Sequence, residues 1–328
     1  MSNADSTVAG VVQDEYGGPD TLRFGTIEKP TPGKKEVLVE VKAAGIDRGV
    51  WHLMTGMPYV VRLGFGLTKP RNRTPGFDVA GVVAAVGPGA DDFQVGDEVM
   101  GIGVSTFAEF AVAKQKKLVH KPANISWEEA GAATISGITA YEALQKGGLA
   151  LGSKVLVVGA SGGVGSFAVQ IAAAAGASVV GVASAAKADF VRSLGAEQCL
   201  DYRVGPLKDI ARDAAPFDLV LDAGSLTSLS DLRSLLTKDG SLLSVGGEGG
   251  GAIGGGFFAR SLGSALLSPF VSQKIPVFLS TESREFIEPV RDLLADGSVK
   301  TALSQAYPLS DAAQAMSDLE SGKLRGKA

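Results

Sequence analysis

The sequence predicts an α/β protein in two parts, an antiparallel barrel-like domain followed by a doubly wound parallel sheet. Three observations carry this prediction. Before Pro122 the chain shows short β-branched or alternating runs broken by Gly and Pro turns. From Lys154 onward strands and helices alternate, which makes βαβ units and a parallel sheet. Between them in kind stands Val155–Val158, a β-branched strand that runs into glycines and then directly into an Ala-rich helix.

In the first part, strands are expected at Val8–Gln13, Glu36–Ala43, Val79–Val86, Asp97–Met100 and Phe107–Val112. Gly17–Pro19, Pro30–Gly33 and Gly87–Gly89 punctuate them, and one short helix is expected near Arg48–Met54. Ser126 followed three residues later by Glu129 reads as a capping box, with helices through Ala130–Ala133 and Thr139–Lys146. Strands then follow at Val155–Val158, Ser178–Val182, Gln198–Leu200, Leu219–Asp222, Leu242–Val245 and Ile275–Leu279. Helices are expected at Gly163–Ala175, Ala186–Leu194, Leu226–Leu236, Phe286–Ala295 and Asp311–Glu320, the last capped by Ser310. Residues 246–256 hold eight glycines and read as a mobile loop after a strand end.

Composition excludes several classes. The chain has 328 residues, 45% apolar and 20% charged, so it can build a sizeable core. A net charge of −4 leaves no basic footprint for nucleic acid. Cys199 is the single cysteine, so neither an internal disulfide nor a multi-cysteine zinc site can form. No charge occurs from Val155 to Ala186, but glycines at 159, 162, 163, 165, 176 and 181 interrupt that stretch. It reads as strand, turn, helix, strand instead of a membrane span. With a polar Met1–Thr7 lacking a signal pattern, the expectation is a cytoplasmic protein without membrane contact.

The segment Gly159, Ala160, Ser161, Gly162, Gly163, Val164 and Gly165 is the most informative. Small residues let a backbone approach a pyrophosphate, whose charge sits on free N–H groups at the helix N-terminus. Glycines that serve only helix packing are the plainer alternative. The next strand should end in the residue that selects the cofactor. An NAD site places Asp or Glu there, whereas this chain has Ser184 and Lys187 with no acid before Asp189. Ser184 can donate to a 2′-phosphate and Lys187 can supply charge, which points to NADPH; Tyr202 can cover the adenine. Against this, Lys187 also suits a solvated helix start.

Four motifs in one order resemble the medium-chain dehydrogenase/reductase superfamily, in its zinc-free quinone oxidoreductase (zeta-crystallin-like) branch. They are Ala43–Asp47, the run Pro75–Gly89 with Val95–Val99, Gly159–Gly165, and Arg325–Lys327. The resemblance implies a GroES-like catalytic domain over 1–124, rejoined by 289–328, and a Rossmann domain over 125–288. It implies cofactor contacts from Arg325 and Lys327. Zinc-dependent relatives carry Cys where Asp47 stands and His where Phe77 stands, so no metal is expected. His52, His120 and Cys199 are widely separated in sequence.

Without zinc an alcohol is hard to deprotonate, so an activated acceptor fits better. The expected function is NADPH-dependent hydride transfer to a quinone or an α,β-unsaturated carbonyl. Asp47 stands where the branch commonly has Asn; orienting a carboxamide, donating a proton and pairing with Arg48 are its three open roles. Tyr59 and Thr139 fall where relatives place residues near substrate and nicotinamide, beside ordinary packing and helix-start roles. Basic residues 62, 69, 71 and 73 flank a loop longer than is usual in quinone reductases. A metal-free alcohol or aldehyde dehydrogenase, and a low-turnover NADPH-binding sensor, stand as alternatives. Ile275–Leu279 would extend the sheet across a two-fold axis in a homodimer, or close it within one chain.

Overall fold

The computed structural model describes residues 6–247, 252–253 and 255–328. They form two compact units. Among the described residues the first comprises those up to 136, with 282–297 and 301–328, and the second those from 137 to 281, with 298–300.

The first unit is built on antiparallel strands. β1 (Thr7–Val12) pairs with β2 (Arg23–Glu28). β3 (Glu36–Ala43), β4 (Asp78–Val86), β5 (Glu98–Ile102), β6 (Phe110–Lys114) and β7 (Leu118–His120) form a second sheet in the order β6-β3-β4-β5-β7. Its inward residues Val37, Val39, Val79, Val83, Val99 and Leu118 are buried, as alternation along each strand requires. β2 was not expected: Arg23-Phe-Gly-Thr-Ile-Glu28 is mostly exposed, so its apolar alternation is weak. α1 (Arg48–Thr55) and α2 (Arg62–Phe65) lie between β3 and β4 in the chain.

α3 (Trp127–Gly131) carries the predicted capping box, with Glu129 N–H on Ser126 Oγ at 3.1 Å and Ser126 N–H on Glu129 Oε2 at 2.8 Å. Gly131 lies so close to Ala43 of β3 that a Cβ would come within 2.7 Å of its backbone. That contact holds α3 in the first unit, which therefore runs to Ser136 where the sequence suggested 124. α10 (Arg284–Ala295) also belongs here, from 282 where 289 was expected. Arg284 donates to Leu118 O and Gln115 O and pairs with Asp92 at 2.8 Å. α11 (Ala312–Glu320) packs Ala315 and Met316 with Val50 and Met54 of α1. Asp311, not Ser310, holds its N-cap position, without a side-chain bond.

The division between units falls within α4 (Thr134–Lys146). In the second unit, β8 (Lys154–Val158), β9 (Ser178–Ala183), β10 (Gln198–Asp201), β11 (Phe217–Asp222) and β12 (Leu236–Ser244) form a parallel sheet ordered β10-β9-β8-β11-β12. α5 (Gly163–Ala174), α6 (Ala188–Ser193), α7 (Leu207–Ile210), α8 (Leu229–Ser234) and α9 (Gly255–Leu267) complete it. Leu156, Val180, Val220 and Leu242 fill the core from four neighbouring strands. Residues 298–300 join this unit because Gln170 and Lys300 exchange two hydrogen bonds of 2.9 Å.

Three expectations need correction. Ile275–Leu279 is not a strand: only Lys274 bridges Ser241, and Pro276 has no N–H to continue a ladder. The segment on which sheet extension was placed is thus extended but unladdered, with Ile275 and Phe278 buried and Leu279 exposed. The helix expected over Leu226–Leu236 is shorter, because Ser228 caps it by accepting from Asp231 N–H and Leu236 already belongs to β12. Of the glycine-rich stretch, 248–251 and 254 lie outside the described residues, and α9 begins at Gly255. Among the described residues no helix is long and apolar enough to cross a membrane.

Candidate functional site

The second unit presents a glycine-lined cradle. Its strand order diverges between β8 and β11, and a crevice at the carboxyl ends of such strands is where parallel sheets bind ligands. The glycine loop leaves β8 there. Gly159 turns with φ 79°, a conformation that suits glycine, and faces the backbone of Gly224 after β11. Gly165 fits against Gly159: an added Cβ would lie 2.1 Å from the Gly159 carbonyl oxygen. Gly162 is exposed, and a Cβ there would meet nothing nearer than 3.4 Å. The backbone ladder of α5 starts with Ser166 N–H on Gly162 O at 2.8 Å. The N–H groups of Gly163, Val164 and Gly165 precede that ladder, which is the arrangement that receives an anion. Ala160 is buried and Ser161 half-buried beside them.

Ser184 directly follows β9 and is only 6% exposed; its carbonyl accepts from Lys187 N–H at 2.8 Å in a single 3₁₀ turn. Lys187 is half-buried and Tyr202, just past β10, is 54% exposed. Thr139 is partly buried on α4.

One feature of this unit was missed. Asp222, at the end of β11, is wholly buried, pairs with Arg260 of α9 at 2.6 Å and accepts from Ser225 N–H at 2.9 Å. Burial raises its pKa, and the Arg260 guanidinium works against that rise. A lone acid closing the apolar run Leu219-Val-Leu-Asp222 was the signal available in sequence.

The first unit holds the other residues. Asp47 is the N-cap of α1, its Oδ1 accepting from Val50 N–H at 2.9 Å. Its Oδ2 is buried and has no hydrogen-bond partner among the described residues. Beyond it lies Asp78, fully buried, accepting from Ile135 N–H at 2.7 Å and facing Lys327 Nζ at 3.4 Å. Lys327 Nζ also donates to Ile46 O at 3.0 Å, and Ile46 N–H reaches Ala328 O at 3.0 Å. Burial pushes the Asp78 carboxyl up to about 7; Lys327 opposes the rise and the Asp47 charge adds to it.

This changes the reading of the C-terminal motif. Arg325 is exposed, but Lys327 is 2% exposed and spends its charge on Asp78 and the Ala43–Asp47 turn. Its ammonium is therefore not a surface charge held out for a phosphate. Tyr59 is 50% exposed, with the Arg62 guanidinium 4.6 Å from its ring centroid and 4.5 Å from that of Tyr16. Among the described residues no group of three His, Cys, Asp or Glu is gathered to hold a metal ion.

Comparison with known proteins accords with both units. Residues 33–123 match the alcohol dehydrogenase GroES-like domain, and 194–328 match the zinc-binding dehydrogenase domain. The chain is 32% identical to a chloroplast envelope quinone oxidoreductase homolog of Arabidopsis thaliana, covering 95% of this chain and 94% of that protein. It is 30% identical to a 2-methylene-furan-3-one reductase of Solanum lycopersicum, covering 95% of this chain and 76% of that protein. The structure of Escherichia coli quinone oxidoreductase complexed with NADPH superposes with a TM-score of 0.81 at 26% identity, over 98% of each chain. The chain thus belongs to the quinone oxidoreductase branch of the medium-chain dehydrogenase/reductase superfamily.

Proposed function

We propose that this protein is a zinc-independent reductase that uses NADPH to reduce a quinone or an α,β-unsaturated carbonyl. The observation that carries the reading is the glycine cradle, with three N–H groups ahead of the α5 ladder and a Gly162 open to an approaching phosphate. Gly163, Val164 and Gly165 would hold the pyrophosphate, Ser184 and Lys187 the 2′-phosphate, and Tyr202 the adenine; Arg325 is the exposed charge of the C-terminal motif. When bound, the cofactor supplies a hydride from nicotinamide C4. The relatives named for quinone and methylene-furanone reduction support this acceptor class.

Asp47, with one oxygen bound in the helix cap and the other unmet, is our candidate for orienting the acceptor or passing it a proton. Tyr59 and Thr139 are the candidate hydroxyl donors to its carbonyl oxygen. Reduction of a quinone to the hydroquinone takes one hydride and one proton, so beyond the hydride the protein must admit a single proton from water or such a donor. Aligning the acceptor and excluding water are the remaining tasks. Phe77 and Asp47, at the positions of zinc ligands in metal-dependent relatives, offer an apolar ring and one carboxylate.

The test is the loss of NADPH absorbance with a panel of quinones and enones, on protein whose metal content has been measured. Turnover by metal-free protein is expected. Tight NADPH binding without turnover would replace this reading with that of a sensor. Turnover of simple alcohols, or activity that tracks bound zinc, would replace it with a dehydrogenase.

A further inference from the structure

From Arg48 to Phe77 the chain carries five Lys and Arg residues and no acid, although its net charge is −4. Three of those cations are used within the first unit. Arg48 donates to Leu319 O at 3.3 Å, Arg62 donates to Gly56 O at 2.9 Å, and Arg73 pairs with Asp14. Arg71 is different: it is exposed, and its guanidinium meets no carboxylate among the described residues. Its backbone N–H on Phe65 O at 2.7 Å fixes where it sits.

That place is the rim of a cavity of about 50 Å³, whose walls include Val50, Leu53 and Met54 of α1 together with Phe77. Asn72 joins Arg71 at the rim. Asn72 is exposed, and Ser105 on the same lining is held at φ 59°, a region that a non-glycine residue occupies at a cost. The cavity is walled by α1, whose N-cap is Asp47, and by Phe77, the chain neighbour of Asp78, although neither carboxylate is on its lining. Its size decides what can enter. A single water needs roughly 10–15 Å³, so the cavity admits a small group and not an isoprenoid tail.

We infer that Arg71, with Asn72, selects short acceptors that carry a carboxylate, with a small apolar group seated against Val50, Leu53 and Met54. An arginine fork matches a carboxylate with two parallel N–H···O bonds, and no neighbouring acid competes for it. The inference rests on the reductase reading above and narrows its substrate class. For a short keto-enoate the hydride adds to the alkene carbon β to the ketone and the C=C π bond breaks. The resulting enolate then takes one proton from water at its α-carbon, while NADPH becomes NADP⁺.

The experiment compares trans-4-oxo-2-pentenoate with its methyl ester, a pair that differs in the charge. Wild type should favour the acid in kcat/KM by about tenfold or more. Arg71→Gln should raise KM for the acid by about tenfold to a hundredfold, leaving kcat and the ester nearly unchanged. Arg71→Lys, which keeps the charge without the fork, should fall between them. Equal kinetics for acid and ester, equal losses in Arg71→Gln, or faster turnover of a long-tailed quinone would overturn the inference. Binding separates it from the parent reading. Titration of 4-oxopentanoate and its methyl ester into the NADP⁺-loaded protein should show acid-selective binding that Arg71→Gln removes. That result without turnover of any acceptor would sustain the Arg71 site and overturn the reductase; turnover without charge selection would do the reverse.

Discussion

Lys327 and Asp78 face each other at 3.4 Å with almost no access to water, and the same ammonium donates to Ile46 O beside Asp47. A residue from the C-terminal motif thereby braces the turn that carries the candidate catalytic carboxylate. Two carboxylates, Asp47 and Asp78, share this region with one lysine, and the buried acid responds with a raised pKa.

Breaking this pair from one side should be costly. Lys327→Met leaves Asp78 buried without its cation, and the expected loss is about 3–5 kcal/mol of unfolding free energy. Asp78→Asn with Lys327→Met together should recover at least half of that loss, since Asn still offers an oxygen to Ile135 N–H. Urea denaturation of the single and double variants measures both. Equal stability of single and double would show that the two side chains are not energetically coupled.

The pH dependence follows from the same acid. Asp78 titrates near 3.8 when unfolded and at about 7 when folded, so the folded state binds its proton more tightly. Its stabilising contribution is full below about pH 4 and is lost as pH rises through 7. The unfolding free energy of wild type minus that of the double variant should therefore fall between pH 4 and 7 and level off above. Asp14, held low first by its hydrogen bond to Arg73, and Asp318, held low first by that from Tyr307, slope the other way. They are common to both proteins and cancel in the difference. A difference that rises over this range would overturn the burial argument.

The two glycines of the cradle should behave differently. Gly165→Val drives a side chain into the Gly159 carbonyl and should lower the thermal midpoint as well as abolish cofactor binding. Gly162→Val points into open space, so stability should hold while NADPH affinity falls about tenfold or more. Calorimetry of binding and of melting on both variants gives the comparison. Unchanged NADPH affinity in a folded Gly162→Val protein would remove the phosphate from this loop.

Cofactor choice is tested at Lys187. A charge-assisted hydrogen bond contributes roughly 1.5–3 kcal/mol, so Lys187→Ala should weaken NADPH by about tenfold to a hundredfold. NADH lacks the 2′-phosphate and should be little affected. Titrating both cofactors into both proteins separates phosphate recognition from general damage. Parallel losses, or a wild type that prefers NADH, would reassign Lys187 to the surface of its helix start.

Much of this was legible in the chain. The capping box at Ser126 and Glu129 forms as its spacing predicts, and β3, β4, β8, β9 and α5 fall within one or two residues of expectation. These elements depend on local periodicity and on Gly, Ser and Pro chemistry that acts over a few residues. β2 was hidden because its side chains are mostly exposed, and Ile275–Leu279 was misread because its buried apolar residues meet no complete strand edge.

The sequence by itself determined the α/β class, the glycine turn into α5 and the absence of a second cysteine, because these follow from residue type and short spacing. Only the tertiary structure decided what Lys327, Asp78, Asp222 and Arg260 do. The partners in these pairs lie 249 and 38 residues apart along the chain. No local pattern reports that folding brings each cation to a carboxylate away from water, where an unpaired charge would be too costly to keep.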